Sequence, residues 1–348
     1  MTGLFIKRAE SDHERKNAIR DGLDWINWLS LIPENARVFI KPNLSTYPIY
    51  TPGVTTSPDL IDSLLEILTT RTKNITIGES DGGRHAWTAD DAFRGHGLPE
   101  ITAKHGAKLV NLSREPWETV TTTVNGKPID VQFPSLLLHD IDVFITLPIP
   151  KFHAMTYVSL AFKNQWGCLP DTMRFRNHAN FDRMIVAIAK ILPTKIVIFD
   201  GRYFLDNNGP LLGGIPIKKD LLIISDDFGA GSLACCEIMD VAWKKVRHFV
   251  VANREGLFPE NLSKVKANDD IKNFKDHKFK LNLTLWNRVA WISFRSRFAT
   301  WLVYDSPLDK PLHWFMYLFR RNPVTVFNQK KDALIANKVS FFETPEQK

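Results

Sequence analysis

The chain has 348 residues, of which 44% are hydrophobic and 24% charged, a composition that belongs to globular and not to disordered proteins. Its net charge of +7 at neutral pH is modest and no recognition motif accompanies it, so nucleic acid is not an expected partner. Three cysteines, Cys168, Cys235 and Cys236, show no C-x-x-C spacing. That rules out a zinc ribbon or a self-contained iron–sulfur module and points to reduced thiols in a cytoplasmic protein.

Met1 to Asp12 is charged and lacks the apolar core of a signal peptide, and no run of about 20 apolar residues is present to span a bilayer. Residues 13 to 32 carry Ile19, Leu23, Trp25, Ile26, Trp28 and Leu29 near helical spacing and stop before Pro33. Arg37 to Leu44 reads as a short buried strand opening into a loop, with Lys41 and Asn43 at its carboxyl end. There they either hold an anion or are merely a solvated lysine and a turn asparagine. Ser57, Pro58 and Asp59 form a helix start, followed by an apolar stripe from Leu60 to Leu68. Asn74 to Gly78 is the next strand, and strand–helix–strand with short joints is a βαβ unit, hence a parallel sheet. Gly82-Gly83 after it suits a tight turn better than an anion cradle, because neither a P-loop lysine nor G-x-G-x-x-G is present.

Ile101 to His105 continues a helix, Lys108 to Leu112 is a strand, and residues 117 to 133 form a hairpin about Asn125-Gly126. Asp140 to Leu147 is a strand that feeds the central stretch, Pro148 to Cys168. Thr194 to Asp200 is a further buried strand, followed by a glycine-rich loop from Asn207 to Gly214. Leu221 to Ser225 is the last strand, leading through Asp226-Asp227 into a helix from about Gly229 to Trp243. Beyond residue 244 the βα rhythm stops. Residues 281 to 321 mix Trp286, Trp291, Phe294, Phe298, Trp301, Trp314, Phe315, Tyr317, Leu318 and Phe319 with Arg288, Arg295, Arg297, Arg320 and Arg321. Such a segment caps a core, lies in an anionic membrane interface or meets another protein. The expected fold is an α/β domain with a mainly parallel sheet and flanking helices over residues 1 to 245. A mostly helical, basic and aromatic region over 246 to 348 completes it.

Lys41, Asn43, Asp81, Lys151, His153, Lys163, Asn164, His178, Asp200, Asn208 and Asp227 all follow predicted strands or lie in the loops after them. A doubly wound sheet gathers such loops into one crevice. Crowded cations there favour a carboxylate or phosphate and depress one another's lysine pKa, which makes a lysine a base or nucleophile. His153 serves as general base or metal ligand, or is simply hydrogen-bonded. Two histidines alone do not hold a metal, and a third ligand would have to be Asp200, Asp227 or Cys168.

The series Val38–Leu44, Thr55–Pro58, Ile77–Ser80, Pro150–Ala154, Leu160–Gly167, His178, Phe199–Gly201 and Gly209-Pro210 resembles the family catalogued as domain of unknown function 362, over about residues 36 to 245. The Lys-x-His and Lys-Asn-x-x-Gly pair is the specific part. Members often carry ferredoxin-type modules, so the resemblance implies redox work in some of them; this chain has no cysteines for clusters, so an electron-transfer role would need a separate redox partner or has been lost. The spacing of His153, Lys163 and His178 is also similar, more faintly, to the nickel-pincer lactate racemases, whose lysine tethers the cofactor and whose histidines serve metal and hydride chemistry. The last gap here is fifteen against sixteen, and the glycine-rich stretch beside that lysine is absent.

These readings together lead to an expected enzyme of oxidoreductase or isomerase type, metal-assisted or not, acting on a small anionic substrate. Lys163, His153 and His178 would be catalytic. Lys41, Asn43, Lys151, Asn164, Asp200 and Asn208 would bind substrate, and His153, His178 and Asp227 would form a metal set. The alternative is a non-catalytic anion- or cofactor-binding protein docked to a membrane surface or a protein complex. The sequence sets no oligomeric state.

Overall fold

The computed structural model describes residues 1–44, 49–83, 87–192, 195–210 and 214–319. Thr194, Arg320 and Arg321, named above, and residues 211–213 of the glycine-rich loop lie outside them. In chain order the strands are β1 (Gly3–Arg8), β2 (Val38–Lys41), β3 (Ile75–Glu79), β4 (Lys108–Asn111), β5 (Trp117–Val124), β6 (Lys127–Pro134), β7 (Val143–Thr146), β8 (Phe152–His153), β9 (Tyr157–Val158), β10 (Ile196–Asp206), β11 (Ile215–Ser225) and β12 (Lys266–Ala267). The helices are α1 (Asp12–Trp25), α2 (Trp28–Leu31), α3 (Pro58–Leu68), α4 (Ala89–Gly95), α5 (Leu98–His105), α6 (Ser135–His139), α7 (Leu160–Asn164), α8 (Phe181–Ile191), α9 (Phe228–Ile238), α10 (Arg247–Arg254), α11 (Leu285–Arg295), α12 (Arg297–Tyr304) and α13 (Asp309–Phe319).

One eight-stranded sheet, in the order β12-β1-β11-β10-β7-β2-β3-β4, forms the middle layer. The run β10-β7-β2-β3-β4 is parallel, as the βα rhythm requires. Their short apolar sequences are buried on both faces: Val38 and Ile40 enter the core under α1 and α3, while Phe39 enters the core under α7, α8 and α9. Phe39 stacks on Phe144 of β7 and lies so close over Gly78 that a Cβ there would meet its ring at 2.3 Å. Glycine at 78 is therefore a packing requirement.

Two features depart from the sequence reading. β11 pairs antiparallel with β10, with Val197 opposite Ser225, so Asp226 and Asp227 emerge at the amino edge of the parallel strands. The β1 strand pairs antiparallel with β11, although its charged surroundings hid it; Leu4 and Ile6 are buried. Residues beyond 245 contribute to the same sheet and core. β12 pairs with β1, and Val246, Phe249, Ala252, Phe258, Ile271, Phe274 and Phe279 belong to the main core. The helical C-terminal part, α11 to α13, follows these residues. The expected cap on α3 is modified too: Ser57 is its N-cap and Pro58 opens it, but the Ser57 side chain makes no cap bond and its N–H donates to Asp200 Oδ2 at 2.7 Å.

Candidate functional site

The carboxyl ends of β2, β3 and β7, with the stretch Lys151 to His178, enclose a cavity of about 350 Å³. Lys41, Asn43, Lys151, His153, Lys163, Asn164 and His178 all line it, together with Glu79, Trp87, Met155, Trp166, Arg174 and Phe175, which the sequence reading did not assign. The charge balance is lopsided: Lys41, Lys151, Lys163 and Arg174 face one carboxylate, Glu79.

That carboxylate is already taken. Lys41 Nζ lies 2.6 Å from Glu79 Oε2, with both side chains 1% exposed, and also donates to the Pro42 carbonyl at 2.7 Å. Glu79 accepts N–H bonds from Leu44 at 3.1 Å and from Ser80 at 3.1 Å. A buried pair is tolerable only when its remaining valences are filled in this way. Lys41 therefore serves as a strut instead of the free anion holder expected from its strand-end position. Gly167 packs on this strut: a Cβ there would sit 2.6 Å from Glu79 Oε1 and 3.0 Å from Lys41 Nζ. The glycine of the Lys-Asn-x-x-Gly motif is thus explained by the ion pair beneath it. The motif's asparagine has a matching role. Asn164 Nδ2 donates to the Lys41 carbonyl at 3.1 Å and to Thr146 Oγ1 at 2.9 Å, which ties α7 to β2 and β7.

Among the described residues the remaining cations of the cavity have no carboxylate partner. Lys151 donates to the Val54 carbonyl at 2.7 Å and Asn43 Oδ1 at 3.3 Å, both neutral acceptors. Arg174 donates to the carbonyls of Asp81 at 2.8 Å and Asp171 at 3.0 Å. Lys163, half-buried, lies 5.5 Å over the Phe181 ring and has no hydrogen-bond partner among the described residues. Burial pushes Lys163 down to about 7, and the charges of Arg174 and Lys41 add to the effect. Burial likewise lowers Lys151 to about 7, followed by the charge of Lys163. Arg174 is also depressed by burial, though a guanidinium stays charged.

Both histidines are neutral, with defined tautomers. Burial holds His178 at about 3, and Lys163 contributes. Its Nδ1 lies 2.7 Å from the Phe175 carbonyl and must donate to it, so Nε2 carries the lone pair. Burial, then Lys163, drives His153 well below its ordinary value. Its Nδ1 accepts the Met155 N–H at 3.1 Å, so the proton sits on Nε2. The turn that carries these groups is strained: Tyr157 and Leu160 both adopt positive φ, 70° and 50°, within the ten residues between His153 and Lys163. Each costs about 1 kcal/mol or more, and such outliers persist where packing over-determines them.

Four expected members lie elsewhere. Asp200 is buried against Arg15 and accepts the Ser57 N–H, an internal ion pair that locks α1 and α3 to β10. Asn208 bonds to Asn287 of α11 at 2.8 Å and to the Gly209 N–H at 2.8 Å, a joint between the loop and the C-terminal helices. Asp81 accepts from Ala89 N and Asn111 Nδ2, each at 2.8 Å, and offers only its carbonyl to Arg174. Asp227 caps α9 through Ala230 N at 2.7 Å, at the opposite sheet edge, because β11 is antiparallel. The set His153, His178 and Asp227 is consequently not assembled. Among the described residues no three His, Cys, Asp or Glu side chains cluster to hold a metal ion. Two neutral imidazoles among four cations are a poor donor set for one. Cys168 is buried and its thiol is pushed up to about 12, which removes it as a ligand or nucleophile. Glu79 was readable as an acid at a strand's carboxyl end. Arg174 stood in a basic run, Arg174 to His178, with nothing to single it out.

Fold and pocket together define an α/β protein with a cation-walled cavity at the carboxyl edge of a mostly parallel sheet. Residues 38–237 match the model of the family described as Domain of unknown function (DUF362), and the chain belongs to that family. A thylakoid-associated protein of Synechocystis is 32% identical over 127 residues, 34% of this chain and 39% of that protein. A crystal structure of a Thermotoga maritima protein superimposes with a TM-score of 0.36 at 11% identity, covering 66% of this chain and 60% of that one. The chain therefore spans less than two thirds of either. The likeness to nickel-pincer racemases is not shown by these matches.

Proposed function

We propose that the pocket binds a small organic anion, a carboxylate or phosphate, and moves a proton on it in isomerase-type chemistry. The observation that supports this is the charge surplus: Lys151, Lys163 and Arg174 face the cavity with no carboxylate of their own among the described residues, since Glu79 is spent on Lys41. Desolvated cations gain most from an incoming anion. An amine near pH 7 is at the optimum for a general base, which Lys151 and Lys163 both meet; Lys151 is already bonded to the Val54 carbonyl, so Lys163 is the better placed. His153, with Nε2–H, is a hydrogen-bond donor to a developing oxyanion, and His178, with a free Nε2 lone pair, an acceptor. The test is calorimetric titration with inorganic phosphate and with acetate, using Lys163→Ala as the variant. Wild-type binding that weakens at least tenfold in the variant is expected, and no binding of either anion refutes the reading. A loss of turnover in Lys163→Ala beyond that tenfold loss of affinity would favour catalysis by Lys163, and weakened binding with no further effect a carrier.

A second reading concerns location. No helix among the described residues is long and apolar enough to cross a membrane. Yet on α11 to α13 Leu285, Ile292, Phe298, Trp314, Phe315 and Leu318 are each more than half exposed. Arg288, Arg297 and Lys310 stand exposed beside them. The carboxylates of the segment are engaged, Asp305 by Arg176 and Asp309 by His313. An apolar face with unopposed cations matches an anionic bilayer interface. The printed name of the thylakoid-associated relative points the same way. Flotation should carry the chain upward with vesicles containing phosphatidylserine and leave it below with phosphatidylcholine alone. Ile292→Glu/Phe315→Glu should abolish flotation, and a chain that never floats ends this reading.

A further inference from the structure

The pocket and the exposed apolar helices are two sides of one unit. The Phe175 ring, in the cavity wall, lies 4.3 Å from the Tyr304 ring of α12 and 6.2 Å from the Phe294 ring of α11. His178 lies 4.9 Å from Phe294. α11 therefore turns Phe294 toward the pocket wall and Leu285, Val289 and Ile292 to the outside. One helix thickness, about 10 Å, separates the pocket wall at Phe175 and His178 from the face read above as membrane-facing.

The cavity is also too large for a bare oxyanion. At about 350 Å³ it is in the range that holds an organic ligand. Besides the charged groups and the polar Asn43, His153, Ser159, Asn164 and His178, its lining has an apolar part: Trp87, Met155, Trp166, Phe175 and Pro210. An adjoining cavity of about 250 Å³, across Met155 and His178, is lined by Asp182, Arg247 and Arg295 and suits water better than hydrocarbon. The apolar part of a ligand thus has the aromatic side, toward Phe294, to follow.

We infer that the ligand of this pocket is an anionic amphiphile, a phosphate or carboxylate carried on a hydrocarbon chain. Its head sits among Lys151, Lys163 and Arg174, and its chain runs along the aromatic wall that backs α11 and α12. This inference rests on the anion reading above and names its substrate class. Head and chain bind to different surfaces, so their contributions separate by experiment.

The test compares inorganic phosphate with decyl phosphate, and acetate with decanoate, each amphiphile below its micellar concentration, by isothermal titration of the full chain. In at least one pair the amphiphile should bind ten times more tightly or better, and Lys163→Ala should weaken both members of that pair at least tenfold. Equal affinity within each pair, with Lys163-dependent binding of the small anions, overturns the amphiphile and leaves the anion reading standing. No Lys163-dependent binding of any of the four overturns both. Amphiphile binding that survives Lys163→Ala but is lost in Ile292→Glu/Phe315→Glu places the chain on the outer face instead of in the pocket, and overturns the inference as well.

Discussion

Replacing Gly167 by alanine tests the idea that the Lys-Asn-x-x-Gly glycine exists to admit the Lys41–Glu79 pair. The added Cβ would stand 2.6 Å from Glu79 Oε1 and 3.0 Å from Lys41 Nζ. Neither partner can swing into water, for both are 1% exposed and Glu79 is held by the Leu44 and Ser80 N–H groups. Overpacking alone costs about 1–3 kcal/mol. Partial loss of a buried pair adds to that, full rupture being worth about 3–5 kcal/mol. A net loss of roughly 2–4 kcal/mol is expected, which at 348 residues is a fall of about 3–6 °C in the melting temperature. The assay is thermal denaturation of a double-mutant cycle. In a Lys41→Met/Glu79→Ala background the obstruction is gone, so Gly167→Ala should cost at least 1 kcal/mol less there. Strict additivity, or a shift below 1 °C in the parent, would refute the argument.

The pocket lysines give the next expectations. Lys163 sits at about 7 against an ordinary 10.5, so between those values the unfolded chain binds more protons and stability rises with pH. Lys163→Met should accordingly raise the melting temperature at pH 6 and lose that advantage toward pH 10; a pH-independent effect in thermal scans would count against it. Sulfate, which does not titrate in this range, should bind more weakly as pH climbs through about 7, because Lys151 and Lys163 both lose their protons there. Flat affinity from pH 6 to 9 by calorimetry would contradict this. Arg15→Met should cost about 3–5 kcal/mol in denaturant unfolding by stranding buried Asp200, yet leave sulfate affinity within twofold. A tenfold loss of sulfate binding would return Asp200 to the site.

The parallel part of the fold was legible because its strands are short apolar runs buried on both faces, a pattern that βαβ units impose. What failed was direction. The last strand of the sheet, β11, reads like its neighbours in sequence, and nothing local distinguishes a strand entered antiparallel across a long β10–β11 hairpin. That single reversal moved Asp227 to the wrong edge for the site. β1 escaped notice because Lys7 and Arg8 mask its buried half, Leu4 and Ile6. In the pocket, strand-end position correctly gathered Lys41, Asn43, Lys151, His153, Lys163, Asn164 and His178. Position could not tell which of them was already paired. Lys41 and Lys151 occupy equivalent places at strand ends, and only the packing of Gly167 and Glu79 makes one a strut and leaves the other without a counter-charge.

That division of labour is what gives the site its character. A buried ion pair contributes little net stability, since desolvation offsets its attraction. Its value here is geometric: Lys41–Glu79 fixes the ends of β2 and β3, the Leu44 and Ser80 amides, and the backbone of Gly167, whose carbonyl accepts from Ser80 Oγ at 2.7 Å. Asn164 extends the same frame into α7, one residue after Lys163. Lys163 is thereby held where burial and the charge of Arg174 disfavour its own, with the Phe181 face against it and no hydrogen-bond partner among the described residues. Three uncompensated cations and two left-handed residues at one sheet edge lower the stability of the empty chain. An anion entering the cavity relieves the electrostatic part, so binding energy and folding energy are coupled at this site. The melting temperature should therefore rise with the logarithm of anion concentration once it exceeds Kd, and that rise should set in only at about tenfold higher concentration in Lys163→Met, whose pocket keeps just two of its three uncompensated cations.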